Sequence, residues 1–466
     1  MHTVVRGLRL LLILDGIGML AASTIHDPII SDVAFAPLIL VSLLAGIACL
    51  SASVVRPRER LDVVCSALTI VAPFPFLALG APWGQRAAGV ALVAIQMVAL
   101  AGLRGRERTL SGPRGVLAAL VISTALLLIM TVALIWYGAA YLVPAPEGVF
   151  TRGPYLTRLT TGEADFAWQT RSQQMVALHV LAPDGSVATA AGGRVSGLRP
   201  GTRYVWTADV GGESAAAGAF TTAPTSTATP IRLVSFGDYG SGSAREYAVG
   251  RLAAAADPSL FLSAGDNAYL LAAPPFLNRA IFSPLRGLLA EAAPVVALGE
   301  HDLAWNDGSA VISALHLPGH HYAAQYGPVQ VVVLGLQADS SALAYASKTL
   351  GRCTTPCPVR LVLVHRPVEA TNPIMPLLRR RHVAAILAGH LHRYERHVRA
   401  GVLEFTIGTG GEGAGGASFT RPTPDAIVSF EAYGFLEIDI HGSAIDYRFI
   451  DGTGRVRDAV SRRIGG

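Results

Sequence analysis

The chain has 466 residues, of which 51% are hydrophobic and only 15% charged. That length predicts several folding units, and so little charge beside so much apolar material excludes a mainly disordered chain. The formal charge of +5 is unevenly placed: residues 1–143 hold ten arginines against six acids, whereas residues 144–466 hold 27 basic and 26 acidic side chains. The polar part is therefore nearly neutral, and nucleic acid is not an expected partner.

Five apolar runs fill the first third: the stretch between Arg9 and Asp27, then Val33–Val55, Val63–Gln85, Ala87–Leu103 and Gly115–Val143. A helix of roughly 20 apolar residues crosses a hydrocarbon core, so residues 1–143 read as a helical membrane domain of five spans in contact with a lipid bilayer. A signal peptide could account for the first run but not for the other four. Arginines cluster at positions 6 and 9, at 56, 58 and 60, and at 104, 106, 108 and 114, in every second loop. The positive-inside rule then puts the N-terminus in the cytoplasm and everything after Val143 outside, giving a multi-pass protein of the cell membrane. Asp15 is the one acid within a span. It reads as an interhelical hydrogen bond or as an ion ligand, the first being favoured because a transport path needs several polar partners.

Residues 144–222 come next as a small β domain. Runs such as DFAWQT, MVALHVLA and TRYVWTADV alternate between polar and apolar and are punctuated by Gly, Pro and Asp, the spacing of a β-sandwich. Residues 223–230 (APTSTATP) read as a linker. From 231 to 450 the pattern becomes strand and helix in alternation: IRLVSFGD, a helix over SAREYAVGRLAAAA, LFLSAGD, a helical stretch around Phe276–Ala292, then VVALGEHD, VQVVVLGL, VRLVLVHRP and AAILAGHLH. Buried strands alternating with helices predict an α/β sandwich, with residues 451–466 as a C-terminal tail.

Five of those strands end on residues that bind metals or move protons: Asp238, Asp266, Glu300 with His301, His365, and His390 with His392. Ligands in α/β sheets collect at the carboxyl ends of strands, so residues some 150 positions apart can share one rim. Carboxylates and imidazoles together suit iron, manganese or zinc. Cys353 and Cys357 (CTTPC) are the only cysteines after position 143. In an oxidising compartment the pair reads as a small disulfide-closed loop rather than a metal site.

FGDYG, GDNAY, LGEHD, LVHRP and GHLHRYER, in that order, resemble the five blocks of the calcineurin-like metallophosphoesterases, specifically the purple acid phosphatases. The likeness spans about residues 150–445. It includes the β domain in front, where Leu198, Pro200, Thr202 and Tyr204 separately resemble the entry to a late strand of a fibronectin type III-like domain. The resemblance implies a four-layer α/β sandwich with two metal ions, iron paired with iron, zinc or manganese. It implies that Asp238, Tyr269 and His392 hold one ion, that His365 and His390 hold the second, and that Asp266 bridges them. The purple branch has a small residue two positions after the first Asp and uses a tyrosine, and Gly240 with Tyr269 fits that pairing. A ferric-tyrosinate chromophore would result if iron occupies that position.

Glu300 departs from the pattern, standing where the family carries an Asn ligand, and could still bind the second ion. His301 would orient substrate or protonate the leaving group. His320 and His321 read as groups that could reach the substrate pocket, or as a solvated loop. The function these residues imply is hydrolysis of a phosphate ester, on a small or membrane-proximal phosphorylated substrate, by a membrane-anchored extracytoplasmic acid phosphatase-like enzyme. A phosphodiesterase of the same superfamily and a non-catalytic sensor or scaffold are the alternatives.

Overall fold

The computed structural model describes residues 149–465 apart from 172–173, 191, 270–271 and 413–421. The five expected spans and Asp15 lie outside the described residues. Among those described, no helix is long and apolar enough to cross a membrane.

The first seven strands are β1 (Phe150–Leu159), β2 (Glu163–Thr170), β3 (Val176–Leu181), β4 (Val187–Ala190), β5 (Arg194–Ser196), β6 (Arg203–Val210) and β7 (Glu213–Thr221). They form two antiparallel sheets, ordered β1-β2-β5 and β4-β3-β6-β7. Alternation in β6 puts Tyr204, Trp206 and Ala208 in the core, where Phe166 meets Trp206 edge-on at 5.5 Å and Tyr204 stacks on Phe220 at 5.6 Å. This unit is not a free spacer. Trp206 Nε1 donates to Ala290 O (3.0 Å), Arg152 Nε to Asn278 Oδ1 (2.9 Å), and Tyr326 Oη to Thr221 O (2.8 Å), so the sandwich is docked on the α/β domain.

Thirteen further strands are β8 (Ile231–Phe236), β9 (Leu260–Ser263), β10 (Ala293–Val296), β11 (Tyr322–Tyr326), β12 (Val329–Val333), β13 (Val359–Leu363), β14 (Ala385–Ala388), β15 (Tyr394–Arg399), β16 (Val402–Ile407), β17 (Val428–Phe430), β18 (Gly434–His441), β19 (Ala444–Asp451) and β20 (Val456–Arg463). They build a six-stranded sheet, β10-β9-β8-β18-β19-β20, and a seven-stranded sheet, β11-β12-β13-β14-β16-β15-β17. β8, β9 and β10 run parallel in the first; β12, β13, β14 and β16 run parallel in the second.

The period-2 alternation of strands explains the layering. In β12 and β13, Val331, Val333, Leu361 and Leu363 join the main core with Phe236, Phe261, Phe405 and Phe435. Their neighbours Val332, Val362 and Val364 face a second core with Ala342, Ala346, Met375 and Leu378, from the helices Ser340–Thr349 and Met375–Arg380. Truncating a fully buried aromatic such as Phe236 to Ala would cost about 3–5 kcal/mol. The helix expected over SAREYAVGRLAAAA forms as Ala244–Ala255, with Ser243 capping Glu246 N.

Two expectations need correction. The helical stretch around Phe276–Ala292 is broken into a 3-10 turn (Pro274–Phe276), a π turn (Asn278–Phe282) and a short helix (Arg286–Glu291). Pro284 stands between the last two and cannot donate a backbone hydrogen bond. Residues 451–466 are not a tail, since β20 pairs with β19 from Arg463 back to Val456 and closes the sheet.

Candidate metal centre

The two sheets release chemistry-bearing residues from the carboxyl ends of their parallel strands. β8 is followed by Gly237 and Asp238, β9 by Asp266, β10 by Glu300 and His301, β13 by His365, and β14 by His390 and His392. Three of these have left-handed backbones: Asp238 (φ 56°), Asp266 (φ 50°) and His390 (φ 69°). Non-glycine residues pay strain in that region, and such strain concentrates at functional sites. Gly389 shows why the chain there is bare: a Cβ would collide with the Asp238 carboxylate.

One side of the cluster joins Asp238, Tyr269 and His392. Tyr269 Oη donates to Asp238 Oδ1 (3.2 Å) and meets His392 Nε2 at 3.1 Å, and His392 Nε2 is 3.3 Å from Asp238 Oδ1. Asp238 is fully buried, and its other oxygen accepts from His390 N (2.9 Å). Burial alone would raise its pKa, but the His392 hydrogen bond and the charge of His365 hold it below the usual range. Burial, then the Asp238 and Asp266 charges, push the Tyr269 phenol well up, so it keeps its proton unless a cation takes its place. Gly240 is tied to this side physically. Its carbonyl accepts from Tyr269 N (2.8 Å), and a side chain there would strike the backbone of Asn267 and Ala268.

The other side joins Glu300, His365 and His390. Glu300 Oε2 lies 2.8 Å from His365 Nε2, and Oε1 lies 2.7 Å from His390 Nδ1. Against a burial cost, the hydrogen bonds and charges of both imidazoles drive the Glu300 pKa far down. Burial would lower His365, but Asp266 and Glu300 raise it to about 10. His365 Nδ1 faces Ala264 O at 2.8 Å, which fixes the ring with Nε2 toward the cluster. Asp266 sits between the two sides, 2% exposed: Oδ1 accepts from His301 N (2.9 Å), and Oδ2 is 3.5 Å from His365 Nε2. Burial raises its pKa to about 6.

The donor set fits metal ions. Glu300, His365 and His390 form one group, and Asp238, Asp266 and His365 another, whose ligand atoms lie within 4.8 Å of one another. Glu300 Oε2 and His365 Nε2 are buried and face each other at 2.8 Å with no other partner, so a cation that displaced the His365 proton would find both as ligands. Mixed carboxylate, imidazole and phenol donors suit iron, zinc or manganese.

His301 lies beside the cluster, its ring 4.5 Å from that of Tyr269 and its Nδ1 buried without a partner; burial pulls its pKa down. His320 and His321 are engaged elsewhere. His320 Nε2 is 3.0 Å from Asp307 O, and His321 Nε2 is 3.0 Å from Ser341 Oγ, with its ring stacked on Tyr345. Cys353 and Cys357 are joined as a disulfide with Cα atoms 6.2 Å apart.

Two residues of the sequence blocks, Asp302 in LGEHD and Arg366 in LVHRP, are not among the expected site residues. Asp302 is fully buried and accepts from Asn267 N (3.0 Å), Asn267 Nδ2 (2.7 Å), Ala268 N (3.2 Å) and Gly299 N (2.9 Å). It thereby holds the loop of Asp266 and Tyr269 against the loop of Glu300, with burial raising its pKa to about 7. Arg366 Nη2 lies 3.6 Å from Glu300 Oε1. Their place in those blocks was the sequence signal that could have found them.

No sequence family's profile matches the chain, and no curated protein matches it. Solved structures do. PhoD is similar at a TM-score of 0.49 and 11% identity, over 66% of this chain and 89% of that one. GAP50, the anchor in the inner membrane complex of Plasmodium, gives 0.42 and 14%, over 51% of this chain and 90% of that one. Vps29 of Entamoeba histolytica complexed with zinc gives 0.27 and 14%, over 50% of this chain and 100% of that one. Likenesses this distant carry no functional weight. The site stands on its own geometry.

Proposed function

We propose that the chain is a metal-dependent phosphoester hydrolase of the calcineurin-like metallophosphoesterase type, with a purple acid phosphatase-like site. The observation that carries the reading is the juxtaposition of Asp238, Tyr269 and His392 with Glu300, His365 and His390 around Asp266, from five strand ends of two sheets. Two bound metal ions would supply Lewis acidity toward phosphoryl oxygens and a water nucleophile at moderate pH. The chain's part is to hold the ions. Asp238, Tyr269 and His392 would take one, Glu300, His365 and His390 the other, with Asp266 between.

His301 is the proton donor to the leaving oxygen in this reading, because its Nδ1 has no internal partner and its ring lies against Tyr269. Asp302 keeps His301 and Asp266 in register without touching substrate. The β-sandwich in front is fibronectin type III-like, and residues 1–143 anchor the enzyme in a membrane with the metal centre outside; the sequence pattern supports both. His320 and His321 remain substrate-pocket candidates only through their loop.

The test is hydrolysis of a generic phosphomonoester by the purified full chain loaded with iron, zinc or manganese. Metal-dependent turnover that His301→Ala lowers while metal stays bound supports the reading. Folded, metal-loaded protein with no turnover on monoesters or diesters overturns it. With iron bound, a visible charge-transfer band that Tyr269→Phe abolishes would support the purple-type assignment, and its absence would sink that part.

A further inference from the structure

Asp238, Asp266 and Glu300 put three carboxylates at the cluster, which would offset much of the charge that two bound ions present to a phosphate dianion. Arg366 answers that charge. It comes directly after His365, its backbone N donates to Leu336 O (2.8 Å), and Pro367 stiffens the next step. Its Nη2 lies 3.6 Å from Glu300 Oε1, too far for a hydrogen bond but close enough for the carboxylate to hold the guanidinium at the rim. The side chain is 40% exposed, while its Nε is buried and makes no hydrogen bond. A desolvated donor without a partner is costly, so it marks a place where another acceptor belongs. A guanidinium offers a planar fork of N–H donors that matches two oxygens of a phosphoryl group.

We infer that Arg366 grips the non-bridging oxygens of the substrate's phosphoryl group, with Glu300 positioning it. The substrate class is then a phosphomonoester, whose terminal group keeps three unesterified oxygens and a dianion's charge to share between bound ions and the guanidinium. A diester has one oxygen fewer to offer and one charge less. This rests on the phosphoester hydrolase reading above.

The experiment compares Arg366→Ala, Arg366→Gln and Arg366→Lys with the unaltered full chain, all metal-loaded. Binding of inorganic phosphate is measured by calorimetry, and KM and kcat on an aryl phosphomonoester and its diester. The expected result is unchanged metal content, with phosphate affinity and monoester KM both worse by about 10- to 100-fold in Ala and Gln. The diester should lose much less, and Lys should recover part of the loss. Unchanged phosphate affinity, equal losses on both esters, or loss of metal would overturn the assignment. Phosphate binding is read without turnover. If the unaltered chain hydrolyses neither ester, the hydrolase reading fails, while the calorimetry still decides whether Arg366 binds phosphate.

Discussion

The two sides of the candidate metal centre are built on different electrostatics. Asp238, Tyr269 and His392 meet at 3.1–3.3 Å through a phenol that still holds its proton. Glu300 meets His390 at 2.7 Å and pairs at 2.8 Å with a His365 whose pKa is raised to about 10. Without metal, the second side has already neutralised itself. The lesson is that an added carboxylate strengthens a cation site and at the same time recruits protons that a cation must expel.

The largest effect should come from removing what the two sides share. Asp266→Ala should lose metal and lower turnover on the order of 10³-fold or more, read by metal analysis and kinetics; retained metal and rate would break the two-sided picture. Next is Glu300→Gln. It should weaken metal binding on its own side and let the His365 pKa fall back from about 10, followed by NMR of the imidazole in metal-free protein. An unmoved His365 titration would show that Glu300 is not its partner.

The pH dependence has a definite sign. The His365 pKa is raised, so at neutral pH its imidazole holds a proton that a metal ion must displace; Asp266, near 6, adds a second below that pH. Metal affinity should therefore rise with pH from about 5 upward, with proton release detectable by calorimetry in buffers of different ionisation enthalpy. Glu300→Gln should flatten that slope. A pH-independent affinity would contradict the protonated second side.

Asp302→Asn replaces one acceptor oxygen with a donor in a pocket of four N–H groups, and should cost about 1–3 kcal/mol of stability by denaturant unfolding. Smallest is Cys353→Ser with Cys357→Ser, which opens a very short loop outside the metal centre. It should cost about 2 kcal/mol and leave the proposed hydrolysis unchanged.

The sequence showed the cluster well because its signal is local: an apolar run, then Gly-Asp or a histidine at each strand end. Gly240 was legible as the small residue paired with Tyr269, whereas the need for glycine at Gly389 shows only in the close approach of the Asp238 carboxylate. The last strand was not legible. β20 is an edge strand whose residues are mostly exposed, Val456 at 54%, so no apolar alternation marks it. The stretch around Phe276–Ala292 reads as one helix because Leu277, Ile281, Leu285 and Leu288 recur at helical spacing, while Pro284 and the π turn act through the backbone. Docking of the sandwich through Trp206 and Tyr326, and the reach of Arg366 to Glu300, depend on pairings between distant segments that no short window contains.

Both sides of the cluster act together only if the proposed two-ion centre hydrolyses phosphate esters. Metal titration of the metal-free full chain, with turnover of a phosphomonoester read at each addition, tests it most directly. The account predicts activity that climbs to a plateau at two equivalents of ion and is absent in Asp266→Ala. A plateau with two ions bound and no hydrolysis, or full activity in Asp266→Ala, would contradict it.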